Sequence, residues 1–126
     1  INLTDTADDI AKMIIKANTD PDPLPEHADG LADRPEARNL VNIYAALAGS
    51  TPEAVLAEYG GQQFGTFKPA LADLAVDKMG PIGEEMTRLM KDPAEIDRML
   101  AAGATRAREI GAPILKKTYD IVGLVT

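Results

Sequence analysis

The chain has 126 residues, 20 acidic and 13 basic, for a net charge of −7 and a sequence pI near 4.6. That length fits one domain with a single hydrophobic core, which excludes a full nucleotide-binding domain joined to a substrate domain. Cysteine is absent, so a disulfide framework, a thiolate nucleophile and a Cys-based zinc site are excluded as well.

No apolar run approaches the ~20 residues of a membrane span, and no basic-then-apolar leader opens the chain. The start at Ile1 reads as that of a fragment or processed chain. Alanine is abundant and aromatic residues make up only 4%. Because alanine favours helices and aromatics favour strands, the fold expected is all-α, a bundle of about five or six helices by periodicity. The acidity is confined to residues 1–67, while the second half is neutral. A net-acidic chain is a poor nonspecific nucleic-acid binder, and DNA is not expected as a partner.

Thr6 is placed to cap a first helix carrying Ile10, Met13, Ile14 and Ala17 and ending near Asn18. Thr19 to Pro35 holds Pro21, Pro23, Pro25, Pro35 and Gly30. Prolines remove donors and restrict their predecessors, so neither helix nor sheet is expected to run through this acidic loop. A second helix runs from Pro35 to about Ala48, with Leu40, Val41, Tyr44 and Leu47 as its buried stripe and Gly49 as its stop. Ser50 or Thr51 caps a third, with Pro52 near its first position, and Gly60-Gly61 ends it after Tyr59.

The longest pattern is Phe67, Leu71, Leu74, Met79, Ile82, Met86 and Leu89. It passes straight through Gly80-Pro81, which predicts one long helix kinked there. Asp92-Pro93 reads as a cap and first-turn proline. Apolar positions then recur at Ile96, Leu100, Ala104, Ala107, Ile110, Ile114 and Ile121, with candidate breaks or kinks at Gly103 and Gly111-Ala112-Pro113 and a stop at Gly123. The methionines fall mostly on these stripes, and Met79, Met86 and Met90, as helical neighbours, read as core filler.

No metal site is expected. His27 is the sole histidine, beside Glu26 in the acidic loop, and reads as a solvated side chain. Gly60, Gly61 and Gly65 match neither a dinucleotide fingerprint nor a P-loop. No Ser–His–Asp set can be assembled, and no catalytic residue is assigned. The cations Lys68, Lys78, Arg88, Lys91, Arg98, Arg106, Arg108 and Lys116 are the candidates for a phosphate-tracking patch. Ordinary ion pairing with nearby acids is the competing reading.

The order of Ile10–Asp20 (IAKMIIKANTD), Arg34–Tyr44 (RPEARNLVNIY), Glu58–Lys68 (EYGGQQFGTFK), Ala70–Pro81 (ALADLAVDKMGP) and Leu100–Leu124 resembles the C-terminal part of bacterial tryptophanyl-tRNA synthetases, over essentially the whole chain. The resemblance implies that residues 1–34 form a linker helix and loop after a catalytic Rossmann-type domain, and that residues 35–126 form a helical anticodon-binding domain. The family's H-I-G-H-like and K-M-S-K-S motifs are not in this sequence, so its ATP (with Mg2+) and tryptophan sites lie outside it and no cofactor is expected within it. It further implies a class I tryptophan–tRNA ligase parent, a homodimer in the cytoplasm, whose partner here is the anticodon end of tryptophan tRNA. Pro69, Gly111 and Pro113 depart from the family's usual residues. The alternative is a free-standing helical protein-interaction module without RNA binding.

Overall fold

The computed structural model describes residues 1–123. Helix α1 spans Ala7–Ile15. Its N-terminus is capped as expected: the Asp9 amide donates to Thr6 Oγ at 3.2 Å, and the Thr6 hydroxyl donates back to the Asp9 carboxylate at 2.6 Å. That reciprocal bond, accepted by the carboxylate, holds the Asp9 carboxyl below its ordinary pKa. The helix closes at Lys16, short of Asn18, because the Ala17 amide turns inward onto the Ile14 carbonyl. Ile10 and Ile14 are buried, whereas Met13 is exposed.

The proline-rich segment is ordered by its ends and by two apolar anchors. Leu24 and Leu31 are buried in the core. The Leu24 amide donates to the Gln62 carbonyl at 2.9 Å, and the Gly61 amide donates to the Leu24 carbonyl at 2.8 Å. One 3-10 turn forms at Ala28–Leu31. It corrects the expectation of no helical structure here, since a single such turn needs little of the donor pattern that the prolines remove.

Helix α2 runs from Pro35 to Ala48 and ends on Gly49 at φ 64°, a left-handed stop that glycine adopts without a Cβ clash. Helix α3 runs from Pro52 to Tyr59, capped by Thr51, whose hydroxyl accepts the Ala54 amide at 3.3 Å. At Gly60 an added Cβ would meet the Leu56 carbonyl and lie 3.0 Å from Glu26 Cα. Glycine there is needed for the close approach of the proline-rich segment.

Helix α4 spans Phe64–Met90, continuous through Pro69 and Pro81. A single long helix crosses Gly80-Pro81, as the unbroken stripe predicts. Phe67, Leu71, Ala72 and Ala75 are buried and complete one core with α1, α2, α3 and the two loop leucines. The expected burial does not continue along the stripe. Met79 still packs against the core, but Ile82 and Met90 are exposed. Periodicity marks an apolar face and cannot say whether another element covers it. At Gly83 the backbone of Leu3 comes so near that an added Cβ would lie 2.6 Å from its carbonyl oxygen.

The chain divides into two compact units, Ile1–Met86 and Thr87–Thr126. In the second, helix α5 spans Pro93–Val122. Asp92 caps it by accepting the Glu95 amide at 3.2 Å, and Gly123 closes it at φ 74°. The candidate breaks at Gly103 and Gly111-Ala112-Pro113 are absent, and α5 continues through them. No α5 residue is buried. Met99 is exposed, and so is Met90, which corrects the reading of Met90 as core filler. Leu124, at the end of the last resemblance segment, lies outside the described residues. Among the described residues there is no strand, and no helix is long and apolar enough to cross a membrane.

Candidate nucleic-acid interface

The eight candidate cations meet different environments. In the first unit Lys68 points inward: its Nζ donates to the Ala17 carbonyl at 2.7 Å and sits 5.8 Å from the Phe64 ring centroid. The α4 turn that buries Phe64 and Phe67 also brings Lys68 to the end of α1, where helix carbonyls attract a cation. Lys78 pairs with its neighbour Asp77 at 3.2 Å, both largely exposed.

In the second unit Arg88 forms a two-bond fork with Glu95, at 2.7 and 2.8 Å. The guanidinium holds the Glu95 carboxyl below its usual range. Lys116 pairs with Asp120 at 3.2 Å, one turn further along α5. Arg98 lies 3.9 Å from Asp92, at the edge of an ion pair. Among the described residues, no carboxylate lies within 4.0 Å of Lys91, Arg106 or Arg108. At ~3.6 residues per turn, Arg98 and Lys116 fall on one face of α5 with Arg106 and Arg108 to either side. Four of the candidates therefore share the half of that helix that faces away from its apolar stripe, where Glu95, Glu109 and Asp120 also lie.

Sequence reasoning passed over Arg34, which organises the proline-rich segment. Its Nε donates to Asp20 Oδ2 at 2.9 Å and its Nη2 to Asp20 Oδ1 at 2.5 Å. Nη1 also donates to the Pro23 carbonyl at 2.7 Å, and Nη2 to the Asp22 carbonyl at 3.0 Å. The fork lowers the pKa of Asp20 and raises that of Arg34. A lone arginine closing an acid-rich loop just before a helix-starting proline was the available signal. A planar five-donor group suits that position, and lysine does not.

Three aromatic residues meet in the first unit. Tyr44, Tyr59 and Phe67 have centroids 5.2 to 5.6 Å apart, and the two tyrosine hydroxyls lie 3.1 Å apart. That hydrogen bond, together with burial, raises the pKa of Tyr59. Tyr44 and Phe67 thus serve the core, as their places on the stripes imply. His27 is exposed. Among the described residues, no group of three His, Cys, Asp or Glu side chains could hold a metal ion.

Against known proteins, no family model matches the chain. Individual curated proteins do match it, and they are aminoacyl-tRNA ligases aligned along nearly its whole length. Tryptophan–tRNA ligases are among them. That of Caulobacter vibrioides is 59% identical over 98% of this chain and 36% of its own length. That of Rhizobium meliloti is 60% identical over 99% of this chain and 35% of its own. The chloroplastic/mitochondrial tryptophan–tRNA ligase of Arabidopsis thaliana is 36% identical over 98% of this chain. The resemblance read from the residues is therefore borne out. The chain corresponds to a region of tryptophan–tRNA ligases and spans about a third of the length of these relatives.

Proposed function

We propose that this chain is the C-terminal, tRNA-binding part of an ATP-dependent tryptophan–tRNA ligase. The observation that carries the reading is the identity of up to 60% to tryptophan–tRNA ligases over nearly all of the chain. The parent joins tryptophan to its tRNA through an aminoacyl-adenylate, with ATP, Mg2+ and tryptophan bound outside this chain. It works in the cytoplasm as a homodimer.

Within that parent, residues 35–126 engage the anticodon end of tryptophan tRNA, and residues 1–34 link them to the catalytic domain. The contribution is binding and orientation, since remote contacts can serve the transition state of the transfer step. All five aromatic rings are buried or half-buried, which favours phosphate contacts and hydrogen bonds over base stacking. Lys91, Arg106 and Arg108 are the cations with unspent capacity for phosphate, and Arg98 and Lys116 hold only exposed pairs that solvent and RNA can exchange. Lys78 and Arg88 would have to exchange their acids, and Lys68 its carbonyl.

The test is an anisotropy titration of the chain, alone and within its full-length parent, against tryptophan tRNA and an anticodon-changed tRNA at two salt concentrations. Tighter binding of the native anticodon, weakening as salt rises, is the expected result. Equal affinity of the full-length protein for both tRNAs would refute the anticodon role.

A further inference from the structure

Helix α5 holds three helix-weakening positions within one turn. Pro113 has no N–H to offer the Glu109 carbonyl, and its ring crowds that carbonyl. Ala112, as the residue before a proline, is sterically biased away from the helical region. Gly111 is a poor helix former, and the space in front of it is open. The backbone nevertheless runs on as helix from Pro93 to Val122.

Among the described residues, no side-chain hydrogen bond or ion pair crosses positions 111–113. The Arg98–Asp92 pair and the bond from the Thr105 hydroxyl to the Ala101 carbonyl lie before them. The Lys116–Asp120 pair and the bond from the Thr118 hydroxyl to the Ile114 carbonyl lie after them. Packing does not bridge them either. No α5 residue is buried, and Ile110 and Ile114, which flank these positions on the apolar seam of the helix, are 62% and 65% exposed. The prolines inside α4 are placed differently. Pro69 lies between buried Phe67 and buried Leu71, and Pro81 lies between Met79, packed on the core, and Gly83, met by the Leu3 backbone. Contacts from outside the helix support α4 at its prolines, whereas α5 at Pro113 has only its own backbone.

We propose that Gly111–Pro113 is a joint in α5, about which residues 93–110 and 114–122 stay helical and bend against one another. Its use rests on the reading of the chain as tRNA-binding. Arg98, Arg106 and Arg108 stand before the joint and Lys116 after it. At ~1.5 Å per residue, Arg98 and Lys116 are about 27 Å apart along the helix. A rigid rod of that length meets a curved phosphate backbone over one stretch only. A jointed one brings the cations on both sides of the bend to it.

Spin labels on introduced cysteine pairs test the joint, because this chain has no cysteine of its own. Ala101→Cys with Thr118→Cys spans it, and Ala94→Cys with Glu109→Cys lies wholly before it. Distances are read by double electron–electron resonance. The spanning pair should give a distribution about twofold broader than the control pair, as a helix bent to several angles at a proline does. Gly111→Ala together with Pro113→Ala should narrow it to the control width, since both changes favour helix. Equal widths for the two pairs in the unaltered chain overturn the joint. So does a spanning pair that stays broad after the double substitution. In the full-length ligase the double substitution should weaken tryptophan tRNA binding severalfold in anisotropy, with the salt slope reduced by about one phosphate contact. Unchanged affinity overturns the role of the joint in fitting RNA. Equal affinity of the unaltered full-length protein for tryptophan tRNA and an anticodon-changed tRNA, with the joint seen in the distances, counts against the tRNA reading alone.

Discussion

Replacing Lys68 with methionine separates a structural cation from an RNA-binding one. Methionine keeps the length and apolar stem of lysine and removes only the ammonium. In the structure that ammonium donates to the Ala17 carbonyl at 2.7 Å and stands 5.8 Å from the Phe64 ring centroid. A hydrogen bond from a charged donor is worth ~1.5–3 kcal/mol, and a cation over an aromatic ring at a partly exposed site adds ~0.5–1 kcal/mol. Recovered side-chain freedom and solvation of the bared carbonyl return part of this, leaving a net loss of about 2 kcal/mol. For a unit of this size that lowers Tm by roughly 8–16 °C. Thermal melts followed by circular dichroism give the stability, and anisotropy at a temperature where both proteins are folded gives tRNA affinity. Lys68→Met should lower Tm and leave tRNA affinity unchanged. A Tm within ~2 °C of the parent, far below the shift worked above, together with a severalfold loss of tRNA affinity, would refute the structural assignment.

Four further outcomes are expected. Arg34→Lys should free the proline-rich segment, seen as faster limited proteolysis between Asp20 and Arg34, because one ammonium cannot reproduce the fork to Asp20 and the Asp22 and Pro23 carbonyls. Asp20 and Glu95 are both held below their ordinary values of 3.8 and 4.5. Their stabilisation is therefore complete above those values and is lost as pH falls through the lower folded ones. Melts taken through this acid range should show Tm falling there, and Arg34→Ala should remove the Asp20 part of the fall. Leu71→Ala opens a cavity at a fully buried position and should cost ~2–5 kcal/mol in denaturant unfolding. Gly103→Ala in this chain, with open space in front of it, should raise stability by ~0.5–1 kcal/mol, read from the same melts.

The helix boundaries were legible because their causes are local. Thr6, Thr51 and Asp92 each offer an oxygen to an amide three residues on. Pro35, Pro52 and Pro93 begin helices whose first amides need no partner. Gly49 and Gly123 adopt the left-handed backbone that closes one. The resemblance was legible for a related reason, since residue order and spacing are themselves properties of the sequence. The candidate cations could be named, but their present partners could not. Arg88 and Lys116 face acids seven and four residues away, within reach of helical counting. Lys68 reaches a carbonyl fifty-one residues earlier in the chain, and no local rule foretells that contact.

By itself, then, the sequence determined the all-helical class, the caps and stops, the absence of any cysteine chemistry and the kinship with tryptophan–tRNA ligases. Tertiary structure decided which apolar faces are covered. Leu24 and Leu31, inside a segment that reads as solvated loop, are buried, while the seam of α5, periodic enough to read as core, stays exposed. It also assigned Arg34 to the proline-rich segment and Lys68 to the end of α1. The physical reason is common to these cases. Helix formation and capping depend on neighbours within a few residues, whereas burial and long-range pairing depend on which distant surfaces the folded chain brings together.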